Sequence, residues 1–405
     1  MRGLPILAAL CGTALAGDQD FISKGLKKFD KIVQEQLPYK NHVYSPMAIR
    51  VMATALMRGT SGEALKELAD AFGFELGDDL AKPNEAGYLE YMKKTFEREK
   101  PNLQQSIAWS SKNYYNLNAD YRDVVRKDCG IQLKRMKTFV GKENYLNKVI
   151  SNGTGGAIED FFQPGSMTAD VKMMMLNSLK FEEKWNKNFQ MKTNGKKTFY
   201  DLDQNPLGEF ETFTRGNLSQ KIKYWKDEKT WVEYIWLPFR AHNKKQPYMV
   251  FALPDYANVT HVNEDPDFKS SDLFRDVDFK KARNAVKTNK AILQKVNFSI
   301  PKFKFDTNLP LTEILKSLGV KSIFDASKSP FKRLFQNAKG MSLSDAVHKS
   351  MIEVNEVGAK AAAATAFQLE SRSEPKKVHL DHPFKFFITN RRMSNVYFTG
   401  IVYKP

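Results

Sequence analysis

Helical periodicity dominates roughly the first 170 residues, and aromatic and β-branched runs dominate after them. Ile22, Leu26, Phe29 and Val33 recur at helical spacing between Phe21 and Gln36. Ser45-Pro46 opens a second helix, with Ser as N-cap and Pro in the first turn; Ile49, Met52, Leu56 and Met57 continue it to Gly59. A third amphipathic run spans Ala64 to Phe72. Later, Thr230–Leu237 and Tyr248–Leu253 are aromatic and branched, with Pro closing each. Lys295–Ile300 and Phe303–Phe305 read as further strands, and Leu311–Leu318 as a helix stopped by Gly319. Phe384–Val402 reads as strands with a turn near Met393-Ser394-Asn395. Helices first and strands later, without βαβ alternation, predict an α+β fold with a mostly antiparallel sheet.

No disulfide framework supports that fold. Residues 1–16 read as a secretory leader: Arg2 is the positive start, Leu4 to Ala14 the apolar core, and Ala14-Leu15-Ala16 the cleavage site. The expected mature chain starts at Gly17 and is secreted and extracellular. Cys11 leaves with the leader, so Cys129 stands alone, expected buried or paired with another molecule. Stability has to come from a large core, and 405 residues at 42% hydrophobic suffice for one. No later run reaches the roughly 18 apolar residues of a membrane span.

The formal charge is +17, or +16 once Arg2 is removed, which suits a polyanionic partner or simply a basic, well-solvated surface. Enzyme signatures are missing: no GxSxG, HExxH, P-loop or GxGxxG. Ser329 to Lys332 fits SxxK by chance, with Pro330 inside it and no companion motif. The six histidines are scattered without metal-ligand spacing, so no metal and no cofactor is expected.

One segment is unusual in composition. Six of the eight residues from Ala359 to Ala366 are alanine. Propensity alone favours an exposed helix. As a strand, residues 359, 361, 363 and 365 would share one narrow face, Ala, Ala, Ala and Thr, able to slip between two strands at little steric cost. The polar stretch that follows carries Arg372-Ser373, bait for a trypsin-like protease.

These residues carry a resemblance. His348-Lys349, Val354-Asn355-Glu356, the Gly358-to-Thr365 segment, His382-Pro383-Phe384-Lys385-Phe386 and Phe398-Thr399-Gly400 resemble the signature of the serpin family. Further blocks recur in family order: Asn41–Pro46; Asn147 with Gly153-Thr154 and Gly156; Leu176–Phe181, leading to Trp185 and Phe189; Leu237-Pro238-Phe239; Leu253-Pro254; Pro301–Lys304; and Leu315–Phe324. The match covers nearly the whole mature chain.

The resemblance implies a single domain over 17–405, with about nine helices, three sheets and a reactive-centre loop at about 356–380. It implies a secreted suicide inhibitor of a trypsin-like serine protease, itself no enzyme and a monomer, with no nucleic-acid or membrane partner. The protease would cleave Arg372–Ser373, and the freed hinge (Glu356, Gly358, Ala359, Ala361, Ala363, Thr365) would enter the large sheet as a new strand. Sixteen residues on from Glu356 and eleven back from Pro383 both lead to Arg372. Ala359 to Arg372 would span about 46 Å at about 3.3 Å per residue. An arginine suits a protease pocket with a buried carboxylate. Lys376 and Lys377 are alternative baits that would lengthen the loop.

Asn177, Trp185 and His348 match the positions that gate the sheet. Lys360 stands in place of the usual Glu, and Ala48 in place of the usual Ser of the second helix. Lys93, Lys94, Arg98 and Lys100 lie where heparin-using relatives are basic, so a glycosaminoglycan is the expected second partner; Arg126, Lys127, Lys134, Arg135 and Lys137 form another basic cluster. Of four sequons, Asn258 and Asn217 are the expected glycosylation sites, ahead of Asn152 and Asn297. The alternative is a non-inhibitory serpin that carries or stores a ligand.

Overall fold

The computed structural model describes residues 26–73, 102–110, 116–181, 183–217, 219–241, 246–256, 274, 277–356 and 375–405. Seven α-helices lie among them: α1 (Leu26–Gln36), α2 (Pro46–Gly59), α3 (Gly62–Phe72), α4 (Ala119–Asp128), α5 (Glu143–Gly153), α6 (Phe279–Lys287) and α7 (Leu311–Ser317). The first eight strands are β1 (His42–Tyr44), β2 (Asn102–Ser110), β3 (Gln132–Met136), β4 (Met173–Phe181), β5 (Met191–Tyr200), β6 (Pro206–Arg215), β7 (Ile222–Asp227) and β8 (Val232–Pro238). The rest are β9 (Tyr248–Pro254), β10 (Ile292–Gln294), β11 (Val296–Pro301), β12 (Phe303–Leu309), β13 (Asp345–Val354), β14 (Lys376–His379), β15 (Phe384–Thr389) and β16 (Val396–Val402). They form three sheets, as the α+β expectation requires.

The chain folds into two compact units that interleave along the sequence. The first comprises the segment ending at Gln36, Pro46–Lys180 and Thr307–Met351. It holds most of a five-stranded sheet in the order β12-β13-β4-β2-β3. The middle strand, β4, reads Met-Met-Met-Leu-Asn-Ser-Leu and is buried along that run, as a strand covered on both faces must be. β2 pairs antiparallel with β4, placing Gln105 opposite Asn177, and parallel with β3. Every residue of α2 except Arg58 is buried, so this helix is internal rather than amphipathic. Phe139, Leu146, Ile150, Met174, Leu176 and Val347 join α5 to the sheet in one apolar cluster. Cys129, at the end of α4, is buried.

The second unit comprises Leu37–Ser45, Phe181–Asp306 and Ile352–Pro405. It contains a seven-stranded sheet, β1-β16-β15-β9-β8-β7-β10, and a four-stranded sheet, β14-β11-β6-β5. β15 and β16 are buried at every position. β14 pairs in parallel with β11 from Val296↔Lys376 to Ser299↔His379.

Two boundaries differ from the sequence reading. Thr230-Trp231 sits in the turn before β8 instead of in the strand, because Trp231 takes a left-handed φ of 55° and Asp227 ties the turn: its backbone carbonyl accepts from Trp231 N at 2.7 Å and its carboxylate from Thr230 Oγ1 at 2.7 Å. The first half, read as mostly helical, also contains β2 and β3.

β1 lies so close to β16 that a Cβ on Gly400 would come within 2.2 Å of the His42 carbonyl oxygen and 2.7 Å of the Phe386 ring. The carbonyl is backbone and cannot swing away. Gly400→Ala is therefore expected to destabilise the protein by about 3 kcal/mol in urea unfolding, the cost of overpacking a strand pair.

Candidate functional site

The site grows from the end of β13. Two side chains hold the backbone where that strand ends. Trp185 Nε1 donates to the Asn355 carbonyl at 2.7 Å. The indole is buried because it stacks on Phe239 (4.4 Å between centroids, 9° between planes) and lies 6.0 Å from Phe213. An isolated antiparallel bridge between Trp185 and Phe239, flanked by Asn186 N→Pro238 O, fixes the indole's origin.

The next residue, Glu356, is caught by its carboxylate. Lys302 Nζ donates to Glu356 Oε1 at 2.9 Å and to Glu211 Oε2 at 3.0 Å, and Thr193 Oγ1 donates to Glu356 Oε1 at 3.0 Å. Thr193 and Glu211 come from β5 and β6, and Lys302 from the link between β11 and β12. Burial raises the Glu356 pKa, but hydrogen bonds from Lys302, its own backbone and Thr193, together with the lysine charge, outweigh that and leave it below the ordinary carboxylate value. Burial likewise lowers Lys302, and Glu356 and Glu211 more than offset it, leaving its pKa raised. The two shifts agree: each partner favours the charged form of the other.

In the first unit the polar positions Asn177 (β4) and His348 (β13) are both fully buried on neighbouring strands of the five-stranded sheet. Neither the oxygen nor the nitrogen of the Asn177 amide has a hydrogen-bond partner among the described residues. Gln105, across from it on β2, spends its Nε2 on the Ala48 carbonyl at 2.7 Å. A buried amide left unpaired costs about 1–3 kcal/mol, so this part of the sheet holds polar capacity that the closed arrangement does not use. With Ala48 in α2, no hydroxyl is available at that position. His348 is pushed down to about 3 by burial, so it is neutral at pH 7.

Of the residues expected to act, Glu356, Trp185, Asn177 and His348 thus occupy ordered positions: two at the end of β13, two within the sheet. The hinge residues Gly358, Ala359, Ala361, Ala363 and Thr365, and the bond Arg372–Ser373, lie outside the described residues, as do the leader, Asn258 and Lys93, Lys94, Arg98 and Lys100. Asn217 is half-buried; its Nδ2 donates to the Asn188 carbonyl at 3.3 Å, and its Oδ1 accepts from Ser219 Oγ at 2.6 Å. The alternative baits Lys376 and Lys377 lie in β14, paired with β11, and Lys376 is also bound to Glu233 at 2.9 Å. Lys302, Thr193, Glu211, Phe213 and Phe239 complete the site without having been singled out in the sequence. Only Lys302 and Phe239 stood in recognisable blocks, and nothing there named their partners.

Among the described residues no group of three or more His, Cys, Asp or Glu side chains could hold a metal. The arrangement holds the start of a segment in place.

The model of the family described as "Serpin (serine protease inhibitor)" matches residues 23–405. A "Serine protease inhibitor" of Cyanea capillata is 28% identical over 378 residues, covering 90% of this chain and 93% of its own. Among solved structures, native protease nexin-1 with heparin superposes with a TM-score of 0.76 at 20% identity, covering 97% of this chain and 100% of that one. Thyroxine-binding globulin in complex with thyroxine gives 0.76 at 17%, with 95% and 98% covered. At these identities the two structures show the fold alone.

Lys302 and Glu356 are each less than a third exposed. A double-mutant cycle of Lys302→Ala and Glu356→Ala is expected to show coupling of about 1 kcal/mol in unfolding free energy. His348 gives a separate expectation. Its folded pKa lies below the unfolded value near 6.5, so its contribution is complete above pH 6.5 and is lost as pH falls towards 3. Between pH 6.5 and 5 that loss is about 2 kcal/mol, and His348→Gln should remove this part of the pH dependence of the urea midpoint.

Proposed function

We propose that this chain, which belongs to the serpin family, is a secreted suicide inhibitor of trypsin-like serine proteases that is cleaved at Arg372–Ser373. Members of this family are mostly protease inhibitors and are not in general enzymes. The observation that carries this reading is the five-stranded sheet, in which β13 and β4 are hydrogen-bonded neighbours and β13 leads, through Asn355 and Glu356, into the small-residue hinge.

The chain leaves that sheet at Val354 and enters β14 of another sheet at Lys376. On this reading, the two held ends keep the segment between them from joining the five-stranded sheet. Cleavage at Arg372 frees the far end. Ala359, Ala361, Ala363 and Thr365 then present a narrow face to the gap between β13 and β4, and the acyl-linked protease is carried with the strand. Lys376 and Lys377 are weaker baits because their backbone is paired with β11.

The leader at residues 1–16 would direct the chain into the secretory pathway, where Asn258 and Asn217 would be glycosylated before export. A glycosaminoglycan at Lys93, Lys94, Arg98 and Lys100 would act as a second partner, a reading supported by the +17 formal charge. Binding to a heparin column only below physiological salt would contradict it.

Brief incubation with trypsin should give a complex that survives denaturing electrophoresis and a released peptide beginning at Ser373. Ala363→Arg, which puts a long charged side chain on the inserting face, should leave cleavage intact and abolish the complex. Cleavage of the unmodified protein without a complex would move the reading to the ligand-carrying alternative.

A further inference from the structure

The formal charge is not spread evenly. Residues 279–305 contain eight lysines and arginines and no acidic residue. Lys280, Arg283 and Lys287 fall three and four residues apart on one face of α6, opposite the buried Phe279, Ala282 and Ala285. Phe279 holds the helix down through Phe387, 5.4 Å away. The chain then turns through the exposed Lys290, with Ala291 N donating back to Ala285 O at 2.9 Å, and runs directly into β10.

β10 is the outermost strand of the seven-stranded sheet: it pairs with β7 on one side and with no strand on the other among the described residues. Its residues Ile292 and Leu293 are 54% and 60% exposed, and β10 sets Leu293 opposite Lys223. Lys281 pairs with Asp227 at 3.8 Å. Lys280, Arg283, Lys287 and Lys290 have no carboxylate within salt-bridge distance among the described residues. A strand edge without a partner among the described residues, two water-exposed aliphatic side chains and a run of cations therefore adjoin along the chain.

We propose that the α6–β10 surface docks an extended, acidic segment of a partner protein, which adds to the edge of β10 as a further strand. Main-chain hydrogen bonds to the free edge would supply binding, alternate side chains would cover Ile292 and Leu293, and Asp or Glu side chains would meet Lys287, Lys290 and Lys223. A sulfated polysaccharide meets the cations but leaves the strand edge and both aliphatic side chains in water. An anionic lipid surface covers the aliphatic pair but cannot satisfy the edge amides. The extended peptide is the occupant that uses all three features. It is distinct from the polysaccharide site proposed at Lys93–Lys100.

The test uses the full chain and a fluorescent eight-residue peptide of alternating Glu and Val, followed by anisotropy. Saturable binding is expected. It should weaken about tenfold or more in Lys287→Glu/Lys290→Glu and in Ile292→Ser/Leu293→Ser, and when alternate amides of the peptide are N-methylated, a change that leaves the protein untouched. Reversing Lys66 and Lys148, exposed lysines of the other unit, should leave binding within about twofold. Equal binding of the N-methylated peptide would overturn strand addition. Failure of the peptide, with heparin fragments or phosphatidylserine vesicles binding this surface instead, would overturn the proposed partner. If nothing binds, the lysines serve only to keep the edge from pairing, and the proposal falls.

Discussion

The proposed inhibitory mechanism depends on one covalent constraint: β13 and β14 belong to different sheets and a single unbroken segment joins them. β14 is held by its parallel ladder with β11, and β13 by its place in the five-stranded sheet. Each ladder hydrogen bond is worth only about 1 kcal/mol net, but a strand added to a sheet forms them along its whole length. Under the proposed mechanism, joining the five-stranded sheet is the more favourable arrangement, and breaking one peptide bond removes the barrier that the two held ends impose.

The barrier needs a firm starting point, and the end of β13 supplies it. Trp185 grips a carbonyl and Lys302 a carboxylate on consecutive residues, and both anchors rest on β-structure packed around Phe213 and Phe239. Within the sheet the balance tips the other way. The amide of Asn177, without a hydrogen-bond partner among the described residues, leaves the closed arrangement short of its best hydrogen bonding. Firm anchorage at the strand end combined with imperfect satisfaction between strands is what a sheet meant to admit another strand would require.

Much of the architecture was legible in the sequence. The helical stripes read at 21–36, 46–59 and 64–72, the stop at Gly319 and the turn at Met393 follow local rules, and among the described residues the structure has helices over 26–36, 46–59 and 62–72 and both punctuations. β2 was missed because Asn-Leu-Gln-Gln-Ser has neither branched side chains nor clean alternation; the apolar β4 beside it makes it a strand. β5, with four lysine or glycine interruptions and polar neighbours, becomes a strand through its hairpin with β6. Trp231 looked like strand because of its ring, yet the Asp227 turn overrides that preference. At the site, Glu356, Trp185, Asn177 and His348 could be named from sequence because they stand in recognisable blocks. The partnership of Lys302 with Glu356 could not, since 54 residues separate them and surface charge is abundant.

The central claim is that scission of the segment between β13 and β14 releases a strand into the five-stranded sheet. The most direct test compares thermal unfolding of the intact protein with that of the same protein nicked at Arg372–Ser373, reading amide exchange in β13 and β4 alongside. A transition moved well above that of the intact chain, with slower exchange in both strands, is the predicted result. A nicked protein that melts at or below the intact one, with exchange in β13 and β4 unchanged, would contradict the account.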